Sequence, residues 1–362
     1  MSKTRVVVGM SGGVDSSVAA ALMVQEGYDV TGIMLKLWSE DCEPAENACC
    51  TPEAIDQASN IAGMLGIPFY VLDAKKEFKI QIVDQFIEKS FIGLTPNPCY
   101  FCNKTIRWGY LLDKVLTMGS EYLVTGHYAI IDKDENGTYH LKKGLDETKD
   151  QSYVLSGLNQ KQLSRTLLPL GQFTKDQIRH IARDLNLPVA SKPDSQDLCF
   201  IGNKSYREFL SKYSENKSLK GNIVDKTGSI VGTHTGIQNF TIGQRKGVGS
   251  GNAEPVYVIS KNYQSNEILV GSKSDLHFNI IEINSVNWIS GQDPNNNQEY
   301  QIKIRYKSVM HQAKVLKTDS DRFRIKLIQP VRDATPGQIA VIYQGNEVIG
   351  SGEIITAGME GE

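Results

Sequence analysis

Apolar positions in the first two hundred residues fall into short runs of strand length, separated by stretches with helical spacing. Arg5 to Met10, Asp29 to Leu37, Pro68 to Leu72 and Tyr122 to Thr125 are rich in Val, Ile, Leu and Tyr. Val18 to Glu26, Glu53 to Leu65, Glu77 to Phe91 and Ile106 to Met118 carry helical patterns between them. Strands separated by crossover helices predict an α/β fold with a parallel, doubly wound sheet, covered on both faces and binding ligands at its carboxyl edge. After about residue 204 the pattern becomes glycine-punctuated: Gly221 to Gly232, Thr241 to Gly251, Val256 to Ser260 and Glu267 to Gly271. From about residue 280 strand-length segments continue, with polar loops such as Gly291 to Gln298. This predicts an α/β domain over 1–203, a small β-rich domain over 204–275 and a C-terminal β-barrel over 276–362, closure removing exposed sheet edges.

The first strand runs directly into Ser11-Gly12-Gly13-Val14-Asp15-Ser16-Ser17 and then a helix. Two glycines permit a tight turn and close approach to an anion, the serines offer hydroxyls, and the first unpaired helix amides point at the same place. A Walker loop needs a Gly-Lys-Ser/Thr ending and a dinucleotide site needs Gly-x-Gly-x-x-Gly; neither is present. The loop is therefore expected to hold pyrophosphate rather than to transfer a terminal phosphoryl group. Gly126-His127 follows a strand end and falls on the same edge, although His127 by itself reads equally well as a hydrogen-bonded structural histidine.

With 362 residues, 40% of them hydrophobic and 22% charged, the composition is that of a soluble globular protein of two or three domains. No apolar run approaches the roughly 18 residues that span a bilayer, and MSKTRVVVGM reads as a strand rather than a signal peptide, so a cytoplasmic protein without a membrane partner is expected. A net charge of -2 gives no whole-chain sign of nucleic-acid binding, but residues 300–326 hold eight Lys or Arg against two Asp. There Lys303, Arg305 and Lys307 alternate with Ile302, Ile304 and Tyr306, and Arg322, Arg324 and Lys326 with Phe323, Ile325 and Leu327, predicting strands with one basic and one apolar face. Each basic face reads either as a solvated barrel exterior or as a track for a phosphate backbone.

Six cysteines are too few and too scattered for a disulfide scaffold. Cys99 and Cys102 sit in TPNPCYFCNK just before a helix, beside a lysine, surroundings that favour thiolate. Cys199 follows in KPDSQDLCFI, a polar loop after a helix. Alone, the CxxC reads as a zinc half-site or a redox pair, and a single cysteine as packing. Cys42, Cys49 and Cys50 read as loop or packing residues.

The SGGVDSS string resembles the signature of enzymes that split ATP between its α and β phosphates. With TPNPCYFCNK, VTGHYA, KDQSYVL, KPDSQDLCFI, TIGQRKG and TPGQ, in this order across nearly the whole chain, it resembles the bacterial tRNA-specific 2-thiouridylase family. That resemblance implies ATP with Mg2+, adenylation of O2 of the wobble uridine (position 34), and sulfur delivery to C2 from a persulfide, releasing AMP and pyrophosphate. It places ATP on Gly9, Met10, Ser11, Gly12, Gly13, Val14, Asp15 and Ser16, with Met34 at the adenine and Gly126 as a further nucleotide contact. Cys199 is the implied persulfide carrier and Cys102 its partner, leaving a Cys102–Cys199 disulfide; Asp15 joins them as a catalytic candidate. Asn97, Pro98 and Cys99 align with the segment around the flipped target base. His127, Lys149, Asp150, Gln151, Arg305, Tyr306 and Gln338 align with tRNA-contacting positions. Many members have aspartate where this chain has Cys99. The implied partners are tRNAs reading Lys, Glu and Gln codons and a persulfide donor, either a sulfur-relay protein or a cysteine desulfurase. The alternatives are a thiolase whose Cys99, Cys102 and Cys199 hold an iron-sulfur cluster, a small-molecule ligase using the same loop, and a non-catalytic RNA-binding module.

Overall fold

The computed structural model describes residues 3–39, 51–193, 198–202, 204–213, 219–248, 255–332 and 334–360. Cys42, Cys49, Cys50 and part of the KPDSQDLCFI segment, 194–197, lie outside them.

Five parallel strands form the first sheet: β1 (Arg5–Gly9), β2 (Asp29–Lys36), β3 (Phe69–Asp73), β4 (Tyr122–Val124) and, after a hairpin, β7 (Thr166–Leu167). Their order is β3-β2-β1-β4-β7. The winding reverses between β1 and β4, which creates a crevice at their carboxyl ends. Val6, Val7 and Val8 are fully buried because helices cover both faces. On one side α1 (Val14–Gln25), α2 (Pro52–Leu65) and the helix Lys175–Asp184 bring Val18, Ala19, Ile61 and Ile178 onto Val6 and Val8. On the other, Trp108, Leu111, Leu112 and Val115 pack on Val7 and Leu123. These come from residues 98–117, a continuous helical stretch whose Cys102–Leu111 portion is wound as a π-helix, a rare form concentrated at functional sites.

The strand-length pattern did not reveal the hairpin β5 (Ala129–Lys133) and β6 (Tyr139–Lys143) inside this α/β region. It is polar on its outer face and turns at Asp134–Gly137. The middle of the chain forms a four-stranded sheet, β10 (Tyr257–Asn262), β11 (Glu267–Gly271), β8 (Gly221–Val224) and β9 (Ile230–His234), in that order. The described part of Thr241 to Gly251 forms turns rather than strand. Six strands then close a barrel in the order β12 (His277–Trp288), β15 (Arg322–Arg332), β14 (His311–Asp319), β13 (Glu299–Lys303), β16 (Ile339–Gln344) and β17 (Glu347–Gly358), with β12 pairing back to β17. β17 also pairs β6, through Val348 with Leu141 and Glu347 with Lys142, so the hairpin extends the barrel sheet.

His140 fastens this junction. Its Nδ1 lies 2.6 Å from Glu347 and its Nε2 3.3 Å from Asp134. The Glu347 carboxylate first, then Asp134, hold its pKa above the usual imidazole value despite partial burial. A raised folded-state pKa means that the clasp contributes fully below the ordinary imidazole pKa and is lost as pH rises through the raised one. Amide-exchange protection at Leu141 and Lys142, corrected for intrinsic rates, is expected to fall across that window in the wild type and stay flat in His140→Gln. Equal profiles would remove His140 from the junction.

Candidate active site

The glycine loop occupies the crevice. Gly13 starts α1 with extended backbone and no side-chain cap. Ser16 and Ser17 instead turn inward, their hydroxyls donating to the Gly13 carbonyl at 3.2 and 2.8 Å. The Ser11 amide donates to Ser16 Oγ at 3.1 Å, curling the loop over the helix end. Gly12 has φ +69°, and a Cβ there would stand 2.8 Å from the Ala54 carbonyl oxygen. Gly126, just past β4, presses backbone to backbone on the loop: its Cβ would stand 2.7 Å from the Asp15 carbonyl carbon and 2.9 Å from the Ser16 amide nitrogen. Gly126→Ala is therefore expected to push the loop open and weaken ATP binding at least tenfold, about 1.4 kcal/mol, by equilibrium nucleotide binding; wild-type affinity would show that the loop tolerates the shift. Met10 and Met34 are buried in the core beneath this edge, and Gly9 ends β1.

The sequence string lacks lysine, but the fold supplies two. Lys175, the first residue of its helix, places Nζ 2.8 Å from each carboxylate oxygen of Asp15, with its side chain 9% exposed. Tyr128 donates its hydroxyl to Asp15 Oδ1 at 2.7 Å, and the Lys175 amide donates to Asp146 Oδ2 at 2.9 Å. Lys192 donates to the Gly12 carbonyl at 3.0 Å and to Gln57 Oε1 at 2.7 Å. Lys192 opens the segment that carries Cys199, so that segment is tied at its start to the ATP loop. The one local signal near Lys175 is the Thr174–Gln177 capping box, which fixes a helix start and says nothing of what the lysine faces.

The Lys149-Asp150-Gln151 segment braces this arrangement from behind. Gln151 accepts from the Tyr128 amide at 3.0 Å and its own amide donates to the Tyr128 carbonyl at 2.8 Å. Buried Asp150 accepts from the Gly144 and Ser152 amides and from Ser152 Oγ. The Lys149 amide donates to the Asp146 carbonyl. His127 is also buried. Arg107 can only donate, so its bond to Nε2 at 3.0 Å makes that nitrogen the acceptor and puts the proton on Nδ1, 2.8 Å from Thr125 Oγ1. Burial, then the Arg107 charge, drive the His127 pKa well below its usual value. The ring is a neutral support for Arg107.

The thiols are built off the carboxyl end of β2, whose Leu35 and the following Leu37 pack into the cluster that holds Cys102 and Cys199. Asn97 accepts from the Tyr100 amide at 3.2 Å and Pro98 follows as the first helical residue, a start that places Cys99 on the surface and Cys102 one turn inward. Half-buried Cys102 and Cys199 pack against one apolar cluster, built from Phe78, Phe86, Phe91, Ile106, Phe200 and Phe209. None of these three cysteines is in a disulfide. Among the described residues no three His, Cys, Asp or Glu converge to hold a metal.

The barrel meets the same segment. The Thr95 amide donates to the Pro336 carbonyl at 2.9 Å, Gln338 Nε2 donates to the Thr95 carbonyl at 2.8 Å, and the Tyr100 hydroxyl lies 3.1 Å from Ser351 Oγ. Arg305 donates to Thr335 Oγ1 in the same loop as Gln338. Tyr306 packs on Tyr153 with ring centroids 5.9 Å apart, below the Lys303 ammonium at 5.8 Å. Burial foremost, then Asp150 and Cys99, push the Tyr306 pKa up to about 12, so the phenol stays protonated. The predicted basic faces fare differently. β13 ends at Lys303, and Arg305 and Lys307 lie in a turn closed by Ser308, whose hydroxyl accepts from the Arg305 amide; the alternation there holds for buried Ile302 and Ile304 but belongs to no continuing strand. Along β15 Arg322, Arg324 and Lys326 are exposed over buried Phe323, Ile325 and Leu327. Arg324 and Lys326 pair with Glu282 and Glu360, which makes this second face largely self-neutralised.

Residues 4–203 match a family model described as a tRNA methyl transferase HUP domain, 207–272 a tRNA methyl transferase PRC-barrel domain, and 278–354 an aminomethyltransferase beta-barrel domain. The tRNA-specific 2-thiouridylase MnmA of Lachnoclostridium phytofermentans is 42% identical over 97% of this chain and 99% of its own length. One of Clostridium tetani is 41% identical over 97% and 99%, and that of Acetivibrio thermocellus 40% identical over 98% and 100%. Likeness at this level spans the ATP loop, both cysteine segments and the barrel loop that meets them, and on it the chain belongs to the tRNA-specific 2-thiouridylase family.

Proposed function

We propose that this protein is a tRNA-uridine 2-sulfurtransferase that makes 2-thiouridine at the wobble position. The observation that carries the reading is that Leu35 and Leu37, at the carboxyl sheet edge where the ATP loop lies, reach the apolar cluster on which Cys102 and Cys199 pack. The family descriptions speak of methyl transfer and the relatives' names of thiouridylation; the paired thiols favour the second. ATP activates uridine O2 by adenylation, because a urea-like carbonyl oxygen leaves poorly and AMP leaves well. A persulfide on Cys199 then delivers sulfur to C2, either through hydrosulfide released by Cys102 or by direct attack, and Cys102 closes a disulfide with Cys199. Asp15, whose carboxylate carries Lys175 Nζ and the Tyr128 hydroxyl and stays 33% exposed, would be the ligand for a magnesium ion at the phosphates, and such an ion would supply charge neutralisation for the leaving pyrophosphate. The converging Asn97–Cys99, Arg305–Tyr306 and Gln338 segments take the flipped base and its flanking backbone. The substrates are tRNAs for Lys, Glu and Gln, the sulfur arrives from a protein persulfide, and the reaction runs in the cytoplasm.

Mass spectrometry of nucleosides from tRNA incubated with protein, ATP and a persulfide donor tests this directly: 2-thiouridine is expected only with all four present. ATP–pyrophosphate exchange in the absence of tRNA would favour the small-molecule ligase. For the tRNA track, the triple variant Lys303→Ala, Arg305→Ala, Lys307→Ala is expected to weaken tRNA binding and reduce the slope of log affinity against log salt by about 0.7 to 0.9 for each phosphate no longer held, leaving ATP binding intact. An unchanged slope would return these residues to a solvated surface.

A further inference from the structure

We propose that Cys99 is a resolving thiol, which opens the Cys102–Cys199 disulfide after each turnover and carries the oxidation out to the surface. The inference rests on the thiolation chemistry above and adds a role for the third cysteine. Cys102 and Cys199 are half-buried against an aromatic cluster, with Phe101 and Leu198 beside them. A disulfide joining them is poorly placed for in-line attack by an external thiol. Cys99 is exposed and stands three residues before Cys102 in one helical run. In a regular helix that spacing separates the two Cα atoms by about 5 Å, inside the roughly 4.4 to 6.8 Å that a disulfide requires. The Cβ atoms, about 5 to 6 Å apart, must close by about 1 to 2 Å, a shift that falls on Cys99, which precedes the first intrahelical amide bond, since the Cys102 amide is held on the Pro98 and Cys99 carbonyls.

The exchange is balanced without any added oxidant. The Cys99 thiolate attacks Cys102 Sγ, the Cys102–Cys199 bond breaks, and its electron pair leaves on Cys199. A Cys99–Cys102 disulfide remains at the surface, and an external dithiol reduces it with two electrons and two protons. The Cys199 thiolate is meanwhile ready to accept a new sulfane sulfur, which draws the exchange forward.

The test uses the full-length enzyme, loaded with persulfide and given one turnover on tRNA with ATP, without reductant, then quenched by alkylation at low pH. Trypsin leaves Cys99 and Cys102 together in peptide 90–104 and Cys199 in peptide 184–204, because the Lys192–Pro193 bond resists cleavage. The wild type is expected to give mainly peptide 90–104 with an internal disulfide, and Cys99→Ser the two peptides cross-linked. Reduction by a dithiol, followed on enzyme oxidised with diamide in the absence of tRNA, is expected to be at least tenfold slower in Cys99→Ser. A wild type yielding only the cross-linked pair, or reduction rates equal in the two proteins, overturns the proposal. Failure of the underlying reading looks different, since no 2-thiouridine then forms in the first turnover.

Discussion

Cys199→Ser is expected to abolish 2-thiouridine formation while tRNA is still adenylated. The ATP loop and the thiols are separate constructions: the loop is fixed by Gly126, Asp15 and Lys175, and Cys199 by packing on Phe200 and the surrounding aromatic cluster. Serine is close to cysteine in size but holds no sulfane sulfur, so activation continues and transfer stops. A loss of at least about three orders of magnitude is expected, in line with removal of a nucleophile in other enzymes. Adenylated tRNA should accumulate and be visible by its added AMP mass. Normal thiolation by the variant would show that another group carries the sulfur. Cys102→Ser should also halt the product, but with Cys199 still loaded as the persulfide.

Lys175→Met is expected to stop the reaction one step earlier. Lys175 is nearly buried and holds both Asp15 oxygens, while the Asp15 side chain is 33% exposed. Breaking a fully buried pair costs about 3 to 5 kcal/mol; solvent access to Asp15 brings the folding cost down to about 1 to 2 kcal/mol. The catalytic cost should be larger, because this ammonium is fixed at Asp15 of the loop, whereas Lys192 is held on the Gly12 carbonyl and Gln57. Preorganised donors of this kind are worth about 100- to 1,000-fold each. The measurement is tRNA-dependent pyrophosphate release, with thermal unfolding to separate the two effects. Lys175→Arg should recover part of the rate by keeping the charge. Full activity in Lys175→Met would make the lysine a structural counterion.

The legible part of this fold was the part written in local periodicity. Val6 to Val8 announced a strand buried on both faces, and the glycines after it announced a tight turn into a helix, because both depend on neighbours within ten residues. The β15 alternation was legible for the same reason. Arg305 was misplaced on a strand because alternation persists through the turn closed by Ser308, and a side chain–backbone bond leaves no periodic trace. Lys175 was missed because its partner lies 160 positions away. The resemblance marked His127 and Asp150 as tRNA-contacting positions; the structure places both in the interior, where their partners are Arg107, Thr125 and Ser152.

The shared edge between β6 and β17 has a consequence for the order of events on the ribosome. Leu141 and Lys142 are made long before their strand neighbours Val348 and Glu347, and the Lys89–Glu353 ion pair closes over 264 positions. Until then the outer edge of the hairpin has no barrel to join. Such distant pairings form slowly, because closing a long loop costs entropy before the strands can bond. The growing chain therefore carries an open strand edge until β17 is made, a state prone to mispairing. Lys142 and Lys143 put positive charge on β6 itself, and charged side chains on an edge strand oppose pairing with the wrong partner.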